Sequence, residues 1–274
     1  MRLNTLKQVT TSMNNTGKMP VLFLGHGSPM NAIEENEFVR GFRNIAKEIP
    51  RPQAILCISA HWETRGTWVT AMKNPPTIHD FGGFPEVLYN VQYPAPGAPE
   101  LAHKIASLLG ETNIRLDYSR GLDHGAWSII KHLFPKADIP VIMMSLDFTK
   151  SPQDHYDLAR ALYPLRKEGI LIVCSGNIVH NLQKVAWSKM NKVFGYDWTI
   201  AANEKIKTFL IEKNHHKLID FHSLGDAFNL AIPTSEHYLP LLYAVALQDK
   251  NEELEFFNDK IVAGSLSMTS VKIG

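Results

Sequence analysis

Short apolar runs that each stop abruptly at a glycine, serine or histidine constrain this chain most strongly. The first run enters the turn sequence GHGSPM at residues 25–30, and two further runs end in the same way. Apolar runs of about four to eight residues between turn signals are typical of strands buried on both faces of a parallel sheet. The three runs are Val21–Leu24, Ala54–Ala60 and Ile170–Cys174.

Helical periodicity fills the segments between these strands. Phe38, Phe42 and Ile45 recur at helical spacing within residues 34–49, and residues 152–167 form a second long helical segment. Strand, helix and strand in succession build a unit with parallel strands. The predicted fold class is therefore α/β: a single-domain sandwich around a central, mostly parallel sheet, with its active site at the carboxyl ends of the strands.

The remaining elements are predicted from the same two periodicities. Residues 234–244 are expected to open a helix that Thr234 or Ser235 caps. The other predicted elements are strands at 67–72, 139–146 and 265–271, and helices at 100–109, from the turn at 122–127 to residue 134, at 197–213 and at 215–221.

Composition excludes several classes of protein. The 28 basic and 27 acidic residues give a net charge of +1, so neither nucleic acid nor a membrane surface is expected as a partner. No apolar run approaches the roughly 20 residues that a membrane span needs. Residues 1–18 are polar and lack the apolar core of a secretory signal, which predicts a flexible N-terminal extension before an α/β domain at 19–274.

The two cysteines, Cys57 and Cys174, lie inside predicted strands. Cysteines in such positions are expected to be buried, reduced thiols that pack as small apolar side chains. A disulfide framework is not predicted, and a reducing, cytoplasmic location fits this pattern.

Six of the twelve histidines lie at or near strand ends or in turn-like segments. Some directly follow predicted strands and others are flanked by glycine and aspartate. Because the carboxyl ends of parallel strands meet at one edge of a sheet, such histidines can converge on a mononuclear metal site. The six are His26, His61, His79, His124, His180 and His237, whereas His103, His132, His155, His215, His216 and His222 are interpreted as structural or surface residues.

Compact motifs for other chemistries are missing from the sequence. Neither His-Glu-x-x-His nor Cys-x-x-Cys is present, so spacing alone does not identify a metal, and imidazole ligands suit zinc, iron, copper or nickel. The turn with His26 and Ser28 is superficially similar to a hydrolase oxyanion loop, yet no Gly-x-Ser-x-Gly elbow occurs. No nucleotide-binding glycine motif follows any predicted strand.

Residues 73–99 form a long segment rich in proline, glycine and aromatic residues. Long loops of this kind in a compact domain are often functional, and the aromatic content favours an ordered wall over a pocket. A packed surface loop without a role in the site is the alternative.

Six motifs in a fixed order give the chain a resemblance to a known family. Together they resemble the class III extradiol ring-cleavage dioxygenases, in the branch that contains 4,5-DOPA extradiol dioxygenase, from about residue 19 to residue 274. Each motif alone is weak, and their number and order make the resemblance specific. The motifs are GHGSPM at 25–30, SAHW at 59–62, PTIHDFGGFP at 76–85, DHGAW at 123–127, SGNIVHNL at 175–182 and EHYLP at 236–240.

The resemblance implies one divalent metal ion. His26, His61 and His237 correspond to the metal-binding positions of the family, and His180 is similar to a fourth ligand of zinc-bound relatives. Glu236 precedes His237, but adjacent helical residues point in different directions, so the two are not expected to bind the metal together. The implied ions are Zn²⁺ at rest and Fe²⁺ for ring cleavage, because an active site must leave positions open for catechol and dioxygen.

The implied activity is the metal-dependent cleavage of a catechol such as L-DOPA at its 4,5 bond by O₂. His124 and His180 are the implied catalytic acid/base residues, because histidine exchanges protons near neutral pH. His79 and Asp80 are candidates to bind the amino-acid end of the substrate, with ordinary loop capping as the alternative for Asp80. A monomer or small homo-oligomer is expected.

Two other functions use the same histidines. A zinc-dependent hydrolase would need no dioxygen, and a non-catalytic metal-binding protein could retain the fold without the chemistry. The presence of His124 and His180 favours an enzyme, because a scaffold needs no protonatable groups beyond its metal ligands.

Overall fold

An eight-stranded sheet and a separate two-stranded hairpin organise the computed structural model, which describes residues 17–110, 114–190 and 192–274. The central strands form from the predicted apolar runs. The strands are β1 (Val21–Gly25), β2 (Ala54–Thr64), β3 (Thr67–Thr70), β4 (Ile114–Asp117), β5 (Val141–Asp147), β6 (Ile170–Gly176), β7 (Leu254–Phe257), β8 (Ile261–Val262), β9 (Leu266–Ser267) and β10 (Ser270–Ile273).

The strand order of the large sheet is β4-β3-β5-β2-β6-β1-β10-β7. The four central strands, β5, β2, β6 and β1, are parallel to one another. The pairs β3–β5 and β1–β10 are antiparallel. The carboxyl ends of β2, β6 and β1 therefore lie side by side, as expected for a mostly parallel α/β sheet, and the predicted fold class is confirmed.

Helices cover both faces of the sheet. Proline, serine or asparagine opens several of them, as their capping preferences predict. The helices are α1 (Glu37–Ala46), α2 (Glu86–Tyr89), α3 (Pro99–Leu109), α4 (His124–Leu133), α5 (Pro152–Ala161), α6 (Tyr163–Lys167), α7 (Asp197–Ile211), α8 (His215–Ile219), α9 (Asp226–Ala231) and α10 (Leu239–Ala246).

Two hydrophobic clusters fill the space between the sheet and its helices. Along β1, Val21 and Phe23 pack in one cluster, while Leu22 and Leu24 pack in the other. Successive side chains of a strand point to opposite faces, so a strand covered on both sides must be apolar throughout. This explains why the apolar runs show no alternation.

The cysteines occupy these clusters on opposite faces of the sheet. Cys57 and Cys174 are free and fully buried, as predicted. Burial raises the pKa of both thiols. Neither side chain is therefore available as a thiolate ligand.

Several predicted boundaries are wrong for identifiable reasons. The helix predicted at 152–167 divides after Ala161, because Pro164 has no amide hydrogen to continue the helical bonds. The segment at 234–244 becomes helical only at Leu239, with Pro240 in its first turn, so Thr234 and Ser235 do not cap it. The sequence patterns also missed β4 and β7, which are short, partly exposed strands of the sheet.

The predicted flexible extension at 1–18 falls mostly outside the described residues. Lys18 is described, and its ammonium group forms ion pairs with Asp249 and, at 2.6 Å, with Glu252. Glu252 in turn binds the fully buried guanidinium of Arg166, at 2.6 and 2.8 Å. Ion pairs therefore hold Lys18 against the domain. The predicted start of the α/β domain at residue 19 stays a prediction.

Across the described ranges, no helix has both the length and the apolar character that crossing a membrane requires.

Candidate active site

Five histidines gather at the carboxyl edge of the sheet, although they are far apart in the sequence. The ring centroids of His26 and His61 lie 4.9 Å apart, and those of His26 and His237 lie 5.3 Å apart. His61 and His124 are closer still, at 3.9 Å. The cluster comprises His26, His61, His124, His180 and His237, five of the six histidines singled out in the sequence; the sixth, His79, lies beside it on the loop.

His61 lies inside β2 rather than after it, which corrects the predicted strand end. The pairing of β2 with β5 shifts register between Ile58 and Glu63. An irregularity of this kind bends a strand and re-aims its side chains. His61 sits within the irregular segment, and its Nε2 lies 3.1 Å from the Nε2 of His26.

A hydrogen-bond relay orients His26. The hydroxyl of Ser175 donates to the carbonyl of Gly125 at 2.6 Å, so its oxygen accepts from the Nδ1–H of His26 at 3.0 Å. This arrangement leaves the Nε2 of His26 with a free lone pair, the form that binds a metal. The amide of Asn31 also donates to the His26 carbonyl at 2.9 Å, whereas Ser28 instead accepts from the backbone of Met30.

His237 reaches the cluster because β6 ends in a glycine. A Cβ atom at Gly176 would lie 2.1 Å from the carbonyl oxygen of His237, a distance that only glycine allows. The amide of Asn177 donates to the same carbonyl at 2.9 Å. The segment that carries His237 is thereby fixed against the strand end, in the turn that precedes α10.

The side chain of His237 presents an unsatisfied nitrogen to the site. Its Nδ1–H donates to Glu236 at 3.1 Å, so Glu236 orients the ring. Its Nε2 is buried and has no hydrogen-bond partner among the described residues. Buried polar atoms without a partner are rare, and a bound metal ion would satisfy this nitrogen.

Three imidazole nitrogens can hold one metal ion. One ligand atom from each of His26, His61 and His237 lies within 4.8 Å of the other two. Nitrogens at this spacing can bind a single ion at the usual distance of about 2.0–2.1 Å. The donor set fits zinc or iron, since both accept neutral imidazole.

His180 lies outside this set of three and stacks on one of its members. Its ring is parallel to that of His237 within 7°, with centroids 3.5 Å apart. It belongs instead to a second potential ligand group with Glu236 and His237. The role of His180 as fourth ligand or as acid/base residue therefore stays a prediction.

Asp80 holds His124 in a defined orientation. One oxygen of Asp80 accepts from the Nδ1–H of His124 at 3.0 Å and from its backbone amide at 2.9 Å. Burial acts to raise the pKa of Asp80, but the hydrogen bond and charge of His124 outweigh it and lower this pKa to about 2. The Nδ1–H of His124 is therefore committed to a carboxylate, and its Nε2 is the ring nitrogen without this partner.

His79 lies on the aromatic loop beside the cluster. Its ring donates to the carbonyl of Val91 at 3.0 Å and packs against Trp127, with centroids 5.5 Å apart. Phe81 of the same loop packs on His124 at 5.5 Å. The loop is thus an ordered wall beside the site.

A hydrogen-bond network around Asp123, which the sequence did not predict, holds the backbone of His61. Arg120 donates to the carbonyl of His61 at 3.0 Å and to the carboxylate of Asp123 at 3.2 Å. Asp123 also accepts from Ser59 at 2.8 Å and caps α4, the helix that begins at His124. The capping position of Asp123 was readable from the sequence, but the link to Ser59 and Arg120 was not.

Burial keeps four of the clustered histidines neutral. Desolvation, with the neighbouring histidines, holds the pKa of His26 and His237 well below the usual range. Burial likewise lowers the pKa of His61 to about 3, and that of His180 to about 4 against the opposing charge of Glu236. Neutral imidazole is the form that ligates a metal or accepts a proton.

The metal-free protein is expected to lose stability when the pH falls from 7.5 to 5.5. A histidine whose pKa is lower in the folded state contributes fully to stability above its unfolded pKa, and this contribution falls as the pH drops toward the folded pKa. At pH 5.5 each such histidine lowers the free energy of unfolding by about 1.4 kcal/mol. Urea unfolding with a chelator present measures the loss.

The control for this experiment is His103→Ala, which removes an exposed histidine. It should leave the pH dependence unchanged. Equal stability of the metal-free protein at both pH values would show that the cluster is not held neutral.

Known proteins resemble this chain over almost its whole length. Residues 20–271 match the family model described as the catalytic LigB subunit of aromatic ring-opening dioxygenase. A protein of Escherichia coli (strain K12) named 4,5-DOPA dioxygenase extradiol is 46% identical over 263 residues, which cover 94% of this chain and 95% of that protein. A protein of the same name from Beta vulgaris is 35% identical over 256 residues, covering 91% and 94%.

A solved structure shares the fold. The crystal structure of an uncharacterized protein from Escherichia coli K12 has a TM-score of 0.81 to this chain and is 42% identical to it. The match covers 93% of this chain and 100% of that structure.

Proposed function

The chain belongs to the LigB family of aromatic ring-opening dioxygenases, the class III extradiol enzymes, and on that premise we propose that it cleaves a catechol such as L-DOPA at the 4,5 bond with O₂ and one divalent metal ion. This membership confirms the family predicted from the six motifs. It also makes the chain an extradiol ring-opening dioxygenase, while the metal and the substrate belong to the proposal.

The unsatisfied Nε2 of His237 is the observation that carries the metal dependence. It is buried beside the Nε2 atoms of His26 and His61, in a site where burial keeps the imidazoles neutral. We assign His26, His61 and His237 as the ligands, with Fe²⁺ as the ion of the active enzyme and Zn²⁺ as an ion the resting protein can hold. When bound, iron supplies Lewis acidity toward the catechol hydroxyls and the electron exchange that dioxygen requires.

His124 is proposed as the base that takes a proton from a catechol hydroxyl. Its Nδ1–H is committed to Asp80, so the Nε2 is the atom that accepts. The ionised Asp80 then stabilises the imidazolium that forms. The ring centroid of His124 lies 3.9 Å from that of the proposed ligand His61. The base is therefore next to the position of the substrate hydroxyls.

His180 is proposed as the second proton-transfer residue. Burial keeps it neutral, and its stacking on His237 fixes the position of its ring. The overall reaction consumes one catechol and one O₂, and both oxygen atoms enter the ring-opened product, so no external reductant is needed. His180 can therefore return to its starting protonation state in each cycle.

His79 and Asp80 are proposed to bind the amino-acid end of the substrate. The contacts of Asp80 with His124 add a positioning role to the substrate-binding role predicted from the sequence. A cytoplasmic location and a monomeric or small homo-oligomeric state also belong to the proposal, and light scattering after size-exclusion chromatography measures the latter.

Anaerobic reconstitution with Fe²⁺ followed by L-DOPA and air tests the function. We expect stoichiometric oxygen uptake and a yellow ring-opened product. The zinc-loaded protein is the control and should consume no oxygen. Absence of oxygen uptake with every catechol would overturn the proposal, and full activity on an ester or amide with zinc alone would identify a hydrolase instead.

Asp80→Asn is expected to lower kcat about ten- to a hundredfold, to raise KM through the proposed substrate-binding role and to leave metal content unchanged. The substitution removes the charge that stabilises protonated His124, so the base loses part of the roughly 10²–10⁴-fold that a positioned acid/base residue contributes. Steady-state oxygen uptake and metal analysis measure the three quantities.

The matched control is Asp138→Asn, which neutralises an exposed carboxylate paired with Arg51. It should have no effect on turnover. A rise in KM at constant kcat in Asp80→Asn would assign Asp80 to substrate binding alone.

A further inference from the structure

A cavity of about 960 Å³ opens beside the histidine cluster. Two of its wall residues contact the cluster directly. Asn31 donates its side-chain amide to the carbonyl of His26 at 2.9 Å, and Leu266 forms a backbone bridge with His180. The cavity is therefore the space from which a substrate substituent would extend away from the histidines.

A third wall residue, on the aromatic loop, connects the cavity to the same cluster. Phe84 lines the cavity and packs on Phe81, with ring centroids 5.3 Å apart. Phe81 packs on His124. Phe81 thus links the cavity wall at Phe84 to the proposed base His124.

The cavity is larger than a free catechol amino acid requires. Ligand pockets of about 300–1,000 Å³ enclose drug-sized molecules, and this cavity lies at the upper end of that range. Much of its wall is apolar. The apolar wall residues include Met30, Phe84, Trp187, Met190, Leu266 and Met268.

One side of the cavity carries carboxylates from the start of α1 and the segment before it. Glu35 is paired with Arg43 at 2.6 Å and, at 3.4 Å, with Arg40, a cation that also lines the cavity. Glu37 is paired with Lys260. Glu34 also lines the cavity and is half-buried. Among the described residues no cation lies within 4.0 Å of the Glu34 carboxylate.

Glu34 borders a second, smaller cavity of about 310 Å³ that Arg43 and Lys131 also line. Both cations have other partners there, since Arg43 binds Glu35 and Lys131 donates to the carbonyl of Ala32 at 2.8 Å. A half-buried carboxylate without a paired cation is an effective site for an ammonium group, because partial burial strengthens the attraction.

We propose, resting on the catechol dioxygenase function above, that this cavity selects catechols whose ring carries an extended apolar substituent ending in an ammonium group, which Glu34 binds. The catechol hydroxyls lie at the histidines, the substituent follows the apolar wall, and the ammonium group lies against the carboxylate.

Substrate pairs and one variant test this assignment. The substrates are catechols with a 4-alkyl chain of two to six carbons, each with and without a terminal amine. In the Fe²⁺-loaded wild-type protein the amine should raise kcat/KM about tenfold or more at the best chain length, mainly through KM. Glu34→Gln should remove this advantage and leave the values for the uncharged alkylcatechols unchanged, whereas Glu34→Asp should keep part of it.

Glu37→Gln is the matched control, because the charge of Glu37 is already paired with Lys260. It should retain the preference for the amine. The absence of an amine preference in the wild-type protein, or its persistence in Glu34→Gln, would overturn the assignment.

A binding measurement separates this inference from the enzymatic function. Anaerobic calorimetry of the zinc-loaded protein with the same pairs reports affinity without turnover. If no catechol consumes oxygen, the proposed function fails, and the calorimetric preference for the amine still decides the role of Glu34. If oxygen uptake occurs and calorimetry shows no preference, only the role of Glu34 fails.

Discussion

His237→Ala is expected to abolish tight metal binding and, with it, ring cleavage. The substitution removes the nitrogen that is buried without a partner and leaves two imidazoles where three converge. Loss of an outer hydrogen-bond partner of a metal ligand typically costs 10–100-fold in affinity, so loss of the ligand itself should cost more than about 100-fold. Competition with a chelator measures the affinity, and an oxygen electrode measures the turnover.

Two controls make this result specific to the metal site. His222→Ala removes an exposed histidine and should change neither quantity. Urea unfolding of metal-free His237→Ala tests whether the fold persists, since α10 begins only two residues later. Metal affinity close to that of the wild type in a folded His237→Ala protein would remove His237 from the ligand set and point to the group of His61, Asp80 and His124, which does not include it.

His124→Ala is expected to retain the metal and lose about 10²–10⁴-fold in kcat. That is the usual contribution of a positioned acid/base residue. The Nδ1–H of His124 is committed to the carboxylate of Asp80, and its Nε2 is left for the substrate. Because the proposed ligands are His26, His61 and His237, metal content should match the wild type. Metal analysis and single-turnover kinetics under air measure both effects.

The exposed His103 provides a matched substitution outside the site. His103→Ala should have wild-type kcat and metal content. Loss of metal in His124→Ala would instead make His124 a ligand, in a group with His61 and Asp80 that the geometry also allows.

The central strands were predictable because strands buried on both faces must be apolar. Continuous apolar runs predict the strands at Val21–Leu24 and Ile170–Cys174, and the glycines that follow predict where each strand ends. The edge strands β4 and β7 were not predictable, since partly exposed residues show no continuous apolar run. The true start of α10 was also hidden, because Thr234 and Ser235 imitate a helix cap in a segment that forms a turn.

The sequence by itself determined which histidines were candidates and which family they belong to, because strand-end positions and ordered motifs are local features. Only the tertiary structure decided what each nitrogen faces. Ser175 orients His26, Glu236 orients His237, and Asp80 orients His124. The contacts of Ser175 and Asp80 join residues distant in the chain, and all three depend on how strands, loops and turns pack, so no periodicity or motif spacing encodes them.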